Sequence, residues 1–174
     1  MADRRISFSN EELPIKEIDA YFVTTEKALR SFYQPNNLYF ATYTSEELSN
    51  ELECRIDELD KFTALTVLAA IEAYLRIDFF QKCYKRKRNL LSKKFRELYE
   101  EKGQKLLIED ILELWMQYII RKSVISELRG ALKYRNWLAH GRYWKAKLGR
   151  KYGYYDVLTL AKEIQTELEI KMGA

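Results

Sequence analysis

The chain has very little of what metal centres, disulfide frameworks and tight turns are made from. Its 174 residues include one histidine, two cysteines, two prolines and six glycines. A lone histidine, with no Cys/His or Asp/Glu cluster at ligand spacing, argues against a zinc site, and nothing in the pattern supports Mg²⁺ dependence. No cofactor is expected. Cys54 and Cys83 form neither a metal-ligand pair nor a secreted framework, which fits a reducing compartment. Scarce Gly and Pro leave few places for tight β-turns and suit long helices. An apolar run long enough to span a bilayer is also missing. The most apolar window, Thr63–Leu75, is interrupted by Glu72, and Met1-Ala2-Asp3-Arg4-Arg5 leads into polar sequence rather than an apolar signal core. A cytoplasmic protein with no membrane partner is expected.

What is present is apolar and charged in nearly equal measure. At 47% hydrophobic, the chain can bury one good core and is too short for two ordinary domains, so residues 1–174 read as one domain. Its charge is unevenly placed: residues 1–60 carry 6 basic and 13 acidic groups, whereas residues 61–174 carry 24 basic and 13 acidic. The second part invites an anionic partner.

Apolar spacing predicts a first helix from about Pro14 to Tyr33, with Ser9 and Glu12 as a capping-box signal and Pro14 tolerated in the first turn. Gln34-Pro35-Asn36-Asn37 ends it. Thr44 and Glu47 repeat the capping-box pattern and open a long second element that reaches about Lys85, with a candidate break at Asp57–Lys61. A third helix is predicted over Leu90–Glu101, stopped by Gly103, and a fourth from Leu107 toward Ile120, its continuation into Ser123–His140 left open. Gly141 stands where a glycine closes a helix, and Asp156 can N-cap a last helix to about Lys171. The fold class is all-α, an antiparallel helical bundle of about five helices.

One stretch carries chemistry: Arg135-Asn136-Trp137-Leu138-Ala139-His140-Gly141. Residues Lys133 to Lys151 around it hold seven Lys or Arg and no acid, which implies a phosphate-bearing ligand. Leu128, Leu132, Arg135 and Ala139 follow at spacings of four, three and four, so Arg135 interrupts an apolar seam. Glu72 does the same among Leu65, Leu68, Leu75 and Phe79. Breaking a buried ion pair costs roughly 3–5 kcal/mol, so the two charges are expected to meet in the bundle. Asn136 and His140 lie about 40° apart around a helix, but Arg135 lies about 140° from His140, so one copy does not close on a point. A two-fold dimer would bring two such sets to one cleft. Metal-free RNA cleavage needs a base for the 2′-OH and an acid for the leaving 5′-oxygen, and a dimer supplies two imidazoles. His140 takes the acid/base role, because histidine is the side chain that ordinarily titrates near neutrality. Arg135 donates to the phosphate oxygens, and Asn136 orients the phosphate or the imidazole.

The Arg-Asn-x-x-x-His pattern of residues 135–140, at a helix end in a small all-helical chain, resembles the active-site motif of the HEPN superfamily (higher eukaryotes and prokaryotes nucleotide-binding domains). The resemblance implies a HEPN-like bundle and a metal-independent endoribonuclease that acts as a homodimer in toxin–antitoxin or anti-phage defence, with an antitoxin protein as a partner. By that similarity Arg135, Asn136 and His140 are the catalytic set, and Glu72 resembles the polar residue on the second helix that supports it. The alternative within the superfamily is a catalytically silent module that binds RNA or nucleotide, or acts as a partner subunit. In HEPN toxins paired with a nucleotidyltransferase antitoxin, a tyrosine two residues after the histidine receives AMP. Here Arg142 holds that place, with Tyr143 one further on.

Arg142, Tyr143, Trp144, Lys145 and Lys147 pair charge with aromatic faces, as single-stranded RNA binding requires. The alternative for Trp144 is a cap on the bundle core. Lys82 to Arg96 holds eight basic residues and no acid, either a distal RNA contact or a solvated turn. Tyr21, Phe22, Phe32 and Tyr33 read as core or dimer contacts on the first helix.

Overall fold

The computed structural model describes residues 7–9, 11, 13–85, 88–118, 120–145, 147 and 149–172. These form six α-helices, α1 (Ile15–Phe32), α2 (Ser45–Tyr84), α3 (Leu90–Lys102), α4 (Ile108–Tyr118), α5 (Lys122–Ala139) and α6 (Tyr154–Met172), with 3₁₀ turns at Leu38–Phe40 and Gly103–Lys105 and no strand among them.

α2 is the spine and packs against each of the other five helices. Its 40 residues span about 60 Å. The capping box at its start is complete: Thr44 Oγ1 accepts from the Glu47 N–H and the Glu47 carboxylate accepts from the Thr44 N–H. No break occurs at Asp57–Lys61. That stretch contains neither Gly nor Pro, and Lys61 bonds back to Asp57 and Glu58 one turn earlier, which reinforces the helix.

The first helix starts later than its capping signal. Pro14 is the N-cap, and its carbonyl accepts from the N–H groups of Glu17 and Ile18. Ser9 Oγ accepts from Glu11 N–H instead, while Glu12 lies outside the described residues. Phe22 is buried and stacks on Tyr154 of α6, whereas Tyr21 is exposed. Phe32 and Tyr33 join Tyr39, Phe40 and Tyr43 in an aromatic cluster at the α1–α2 turn.

α4 and α5 are separate. The Ile120 N–H bonds five residues back to Trp115 O, and the next donor, Arg121 N–H, goes to the Glu167 carboxylate on α6, which also holds the Arg121 guanidinium. With its amides spent on these partners, the chain turns here. Asp156 is not the N-cap of α6 but its third residue, reaching back to the Gly153 N–H, and Asp60 of α2 accepts from the Tyr154 N–H. That first turn is therefore tied to the spine.

The core is continuous from Ala64, Leu68, Leu75 and Phe79 of α2 to Phe95 of α3, Trp115 of α4, Leu128 and Ala131 of α5 and Ala161 and Ile164 of α6. Fully burying each larger apolar side chain contributes about 1.5–3 kcal/mol. Among the described residues, no helix is long and apolar enough to cross a membrane.

Candidate functional site

The last two turns of α5 carry the motif, and their burial pattern places it. Leu128, Ala131, Tyr134 and Leu138 are buried, Arg135 is half-buried, and Asn136, Ala139 and His140 are exposed. The buried seam therefore runs through Tyr134 and Leu138 rather than through Arg135 and Ala139. The row 128, 132, 135, 139 keeps within about 60° of one face, but in the last two turns the core contact moves to the neighbouring row of Ala131, Tyr134 and Leu138. Arg135 marks the edge of an exposed sector that holds Ala139, Asn136 and His140 within about 140° of the helix.

At that edge Arg135 meets Glu72, the pairing expected from the sequence although Arg135 stands beside the buried seam and not in it: Arg135 Nη2 donates to Glu72 Oε2 across the α5–α2 contact. The side chains are 24% and 16% exposed, so the pair is shielded without being cut off from solvent. Arg76, one turn further along α2, donates through Nε to Glu72 Oε1 at 2.9 Å. One carboxylate thus joins two guanidinium groups. Arg135 Nε is buried without a hydrogen-bond partner.

α5 closes at His140. The Gly141 N–H bonds to Leu138 O and the Arg142 N–H to Trp137 O, with both Gly141 (φ 77°) and Arg142 (φ 59°) left-handed. This double bond pattern satisfies the last carbonyls of a helix and favours glycine at its first left-handed position. Arg142, in a conformation that few side chains adopt, is held there by Glu58 of α2, with Nη1 and Nη2 donating to the two carboxylate oxygens at 2.8 and 2.7 Å. These bonds, with help from Lys61, hold the Glu58 carboxyl far below the usual carboxylate range, at about 2. Arg142 also lies over the exposed Phe62 ring, 6.0 Å from its centre.

The segment after Arg142 stays beside the helix end. Trp137 Nε1 donates to the Trp144 carbonyl at 2.9 Å, and the Trp144 ring lies 6.2 Å from the His140 ring and 4.7 Å from that of Tyr143. Trp144 is 38% exposed and Tyr143 84%, so neither belongs to the core. Lys145 and Lys147 are exposed.

The structure thus brings Glu72 to Arg135 and the Trp144 ring to His140, and it places Arg142 on Glu58. Arg76 and Glu58 are additions to the set read from sequence. Glu72 and Arg76 form a visible i,i+4 pair, but nothing local pairs Glu58 with a residue 84 positions away. The basic run from Lys82 to Arg96 is partly engaged: Lys82 bonds Asp78 and faces the Trp115 ring, and Lys94 bonds Glu97, while Arg86 and Lys87 lie outside the described residues. Among the described residues, no three His, Cys, Asp or Glu side chains converge so as to hold a metal ion.

Comparison with protein-family models, with curated proteins and with solved structures yields no match. The likeness to the HEPN superfamily rests on the motif and its place at a helix end.

Proposed function

We propose that the chain is a metal-independent endoribonuclease of HEPN type, working as a homodimer with a composite site. The observation that carries this reading is the Arg135–Glu72 pair: a motif arginine held by a carboxylate from the neighbouring helix, at the edge of an exposed face with Asn136 and His140. A guanidinium fixed in this way is ready to meet charge growing on a phosphate and needs little reorganisation as it does so.

In the proposed reaction the 2′-oxygen attacks the adjacent phosphorus and the bond to the 5′-oxygen breaks. One His140 takes the 2′-OH proton, and the second copy's equivalent imidazole protonates the departing 5′-oxygen. The products are a 2′,3′-cyclic phosphate and a 5′-OH. Arg135 neutralises the non-bridging oxygens, and Asn136 orients the phosphate or the imidazole. A cytoplasmic role as the toxin of a toxin–antitoxin pair or in anti-phage defence, held in check by an antitoxin protein, suits such an activity.

Incubating the protein with mixed RNA in EDTA tests this directly. Cleavage should proceed in chelator, stop in His140→Ala and Arg135→Ala, and change when His140→Ala chains are mixed with wild type. A requirement for Mg²⁺, or activity in both variants, defeats the mechanism. RNA binding without cleavage in wild type would reassign the chain as a silent binding module.

A further inference from the structure

Glu72 neutralises one positive charge and touches two. Its Oε2 accepts from Arg135 on α5, while Arg76 brings Nε to Oε1 at 2.9 Å and Nη2 to Oε1 at 2.8 Å. A simple i,i+4 pair on one helix would leave one guanidinium per carboxylate. Here a second arrives from another helix, and the trio keeps a formal charge of +1.

Both guanidiniums also keep donors to spare. Each carries five N–H groups, and no acceptor other than Glu72 bonds either of them among the described residues. The Arg76 side chain is 34% exposed, and Ala69, seven residues earlier and within about 20° on the same stripe of α2, is exposed as well. The Arg76 side chain is therefore partly open to solvent, and its guanidinium lies beside the Glu72 carboxylate that also holds Arg135. Guanidinium groups bind phosphate oxygens in pairs of parallel bonds, and here two such planar donor groups are gathered on one carboxylate.

We propose that Arg76 and Arg135 form a two-guanidinium phosphate cradle, with Glu72 as the spacer that fixes their separation. Resting on the nuclease reading, the phosphate is a phosphodiester of the RNA substrate. Arg135 meets it as charge develops, and Arg76 holds it equally in the ground and transition states. A contact of that uniform kind changes KM and leaves kcat in place.

The test uses the full chain and three proteins: wild type, Arg76→Gln and Arg76→Lys. Inorganic phosphate is titrated at low salt while the arginine side-chain N–H resonances are followed by NMR, and RNA cleavage is measured in EDTA. Wild type should bind phosphate with shifts at two arginines. Arg76→Gln should weaken phosphate binding and raise KM for RNA about tenfold with kcat within about twofold, and should lower the salt dependence of RNA binding by a slope of about 0.7. Arg76→Lys, which keeps the charge without the fork, should fall between and serves as the comparison if Arg76→Gln folds poorly. No phosphate binding by wild type, or phosphate and RNA affinities in Arg76→Gln equal to wild type, overturns the cradle. Phosphate binding that depends on Arg76 in a protein that cuts no RNA supports the cradle and defeats the nuclease reading alone.

Discussion

Glu58 and Arg142, 84 residues apart, face each other oxygen for nitrogen, and through that contact the spine helix fixes the segment that follows the motif histidine. The Arg142 N–H already closes α5 on Trp137 O, so backbone and side chain of one residue pin the same turn to two helices. Its left-handed backbone costs on the order of 1 kcal/mol, which the paired bonds offset.

The pH dependence of this contact follows from the Glu58 carboxyl, ordinarily near 4.5 and held at about 2 by Arg142 and Lys61. A carboxyl depressed in the folded state contributes stability that is full above its ordinary value and fades as pH falls toward 2. The Glu58 side chain is 40% exposed, so solvent screening limits the contribution to about 1 kcal/mol or less. Urea unfolding of wild type and Glu58→Gln should show wild type more stable at pH 7, with the gap closing between pH 4.5 and 2. An undiminished gap at about pH 2 would mean that the carboxylate is not its source.

A second prediction concerns Gly130 in α5. A methyl group there would sit 2.3 Å from the Tyr152 hydroxyl oxygen and 3.3 Å from the ring carbon that bears it. Tyr152 is buried and lies under the Arg150 guanidinium, so its ring cannot simply swing out. Gly130→Ala should destabilise by about 1–3 kcal/mol from overpacking, even though alanine favours helix by about 1 kcal/mol. Tyr152→Phe in the same chain removes the colliding oxygen and should recover most of the stability. A Gly130→Ala protein that melts at or above wild type would refute the close contact.

The two thiols should differ sharply. Cys54 is exposed, whereas Cys83 is buried and desolvation pushes its thiol up to about 12. Because the thiolate is the reactive form, a disulfide reagent at mildly alkaline pH should titrate one thiol in the folded protein and the second only in denaturant. Cys54→Ser should then show no fast reaction. Rapid labelling of Cys83 in the native state would indicate that the α2–α3 region opens.

These sites differ in how far they can be read from sequence. The α2 start is legible because Thr44 and Glu47 sit three apart, and the α5 end because Gly141 follows a polar cap. The Glu72–Arg135 pair is legible because each charge interrupts an apolar row whose alternative is an unpaired charge. Ala139 does not lie in the seam that its spacing suggests, since a spacing of fours and threes fits two neighbouring rows of a helix and only packing selects Tyr134 and Leu138. The α4–α5 break is not legible because Glu167, which draws off the Arg121 amide, lies 46 residues away. Arg142 reads as an RNA contact on local composition alone. Its partner is visible only once α2 and α5 lie side by side.

The last prediction concerns Trp144, a residue 38% exposed whose ring lies near those of His140 and Tyr143 while its carbonyl carries the Trp137 bond. Because that bond uses the backbone, Trp144→Ala removes the ring and leaves the Trp137 contact in place. If the ring stacks on a base of single-stranded RNA, the substitution should weaken binding by about 1–3 kcal/mol, roughly 5- to 150-fold, with no change in thermal stability. Replacing Lys145 and Lys147 by alanine should instead flatten the salt dependence, by a slope of about 0.7 for each phosphate that the lysines neutralise in wild type. Arg142→Ala removes the Glu58 contact that fixes the turn after α5 and should lower stability as well as affinity, which separates its role from those of Trp144 and the lysines. Fluorescence anisotropy at fixed salt on a short unstructured RNA reads the affinities, and a salt series on the same RNA reads the slopes. Equal affinity in Trp144→Ala and wild type would remove the base-stacking role and leave the ring as a cover for the His140 face.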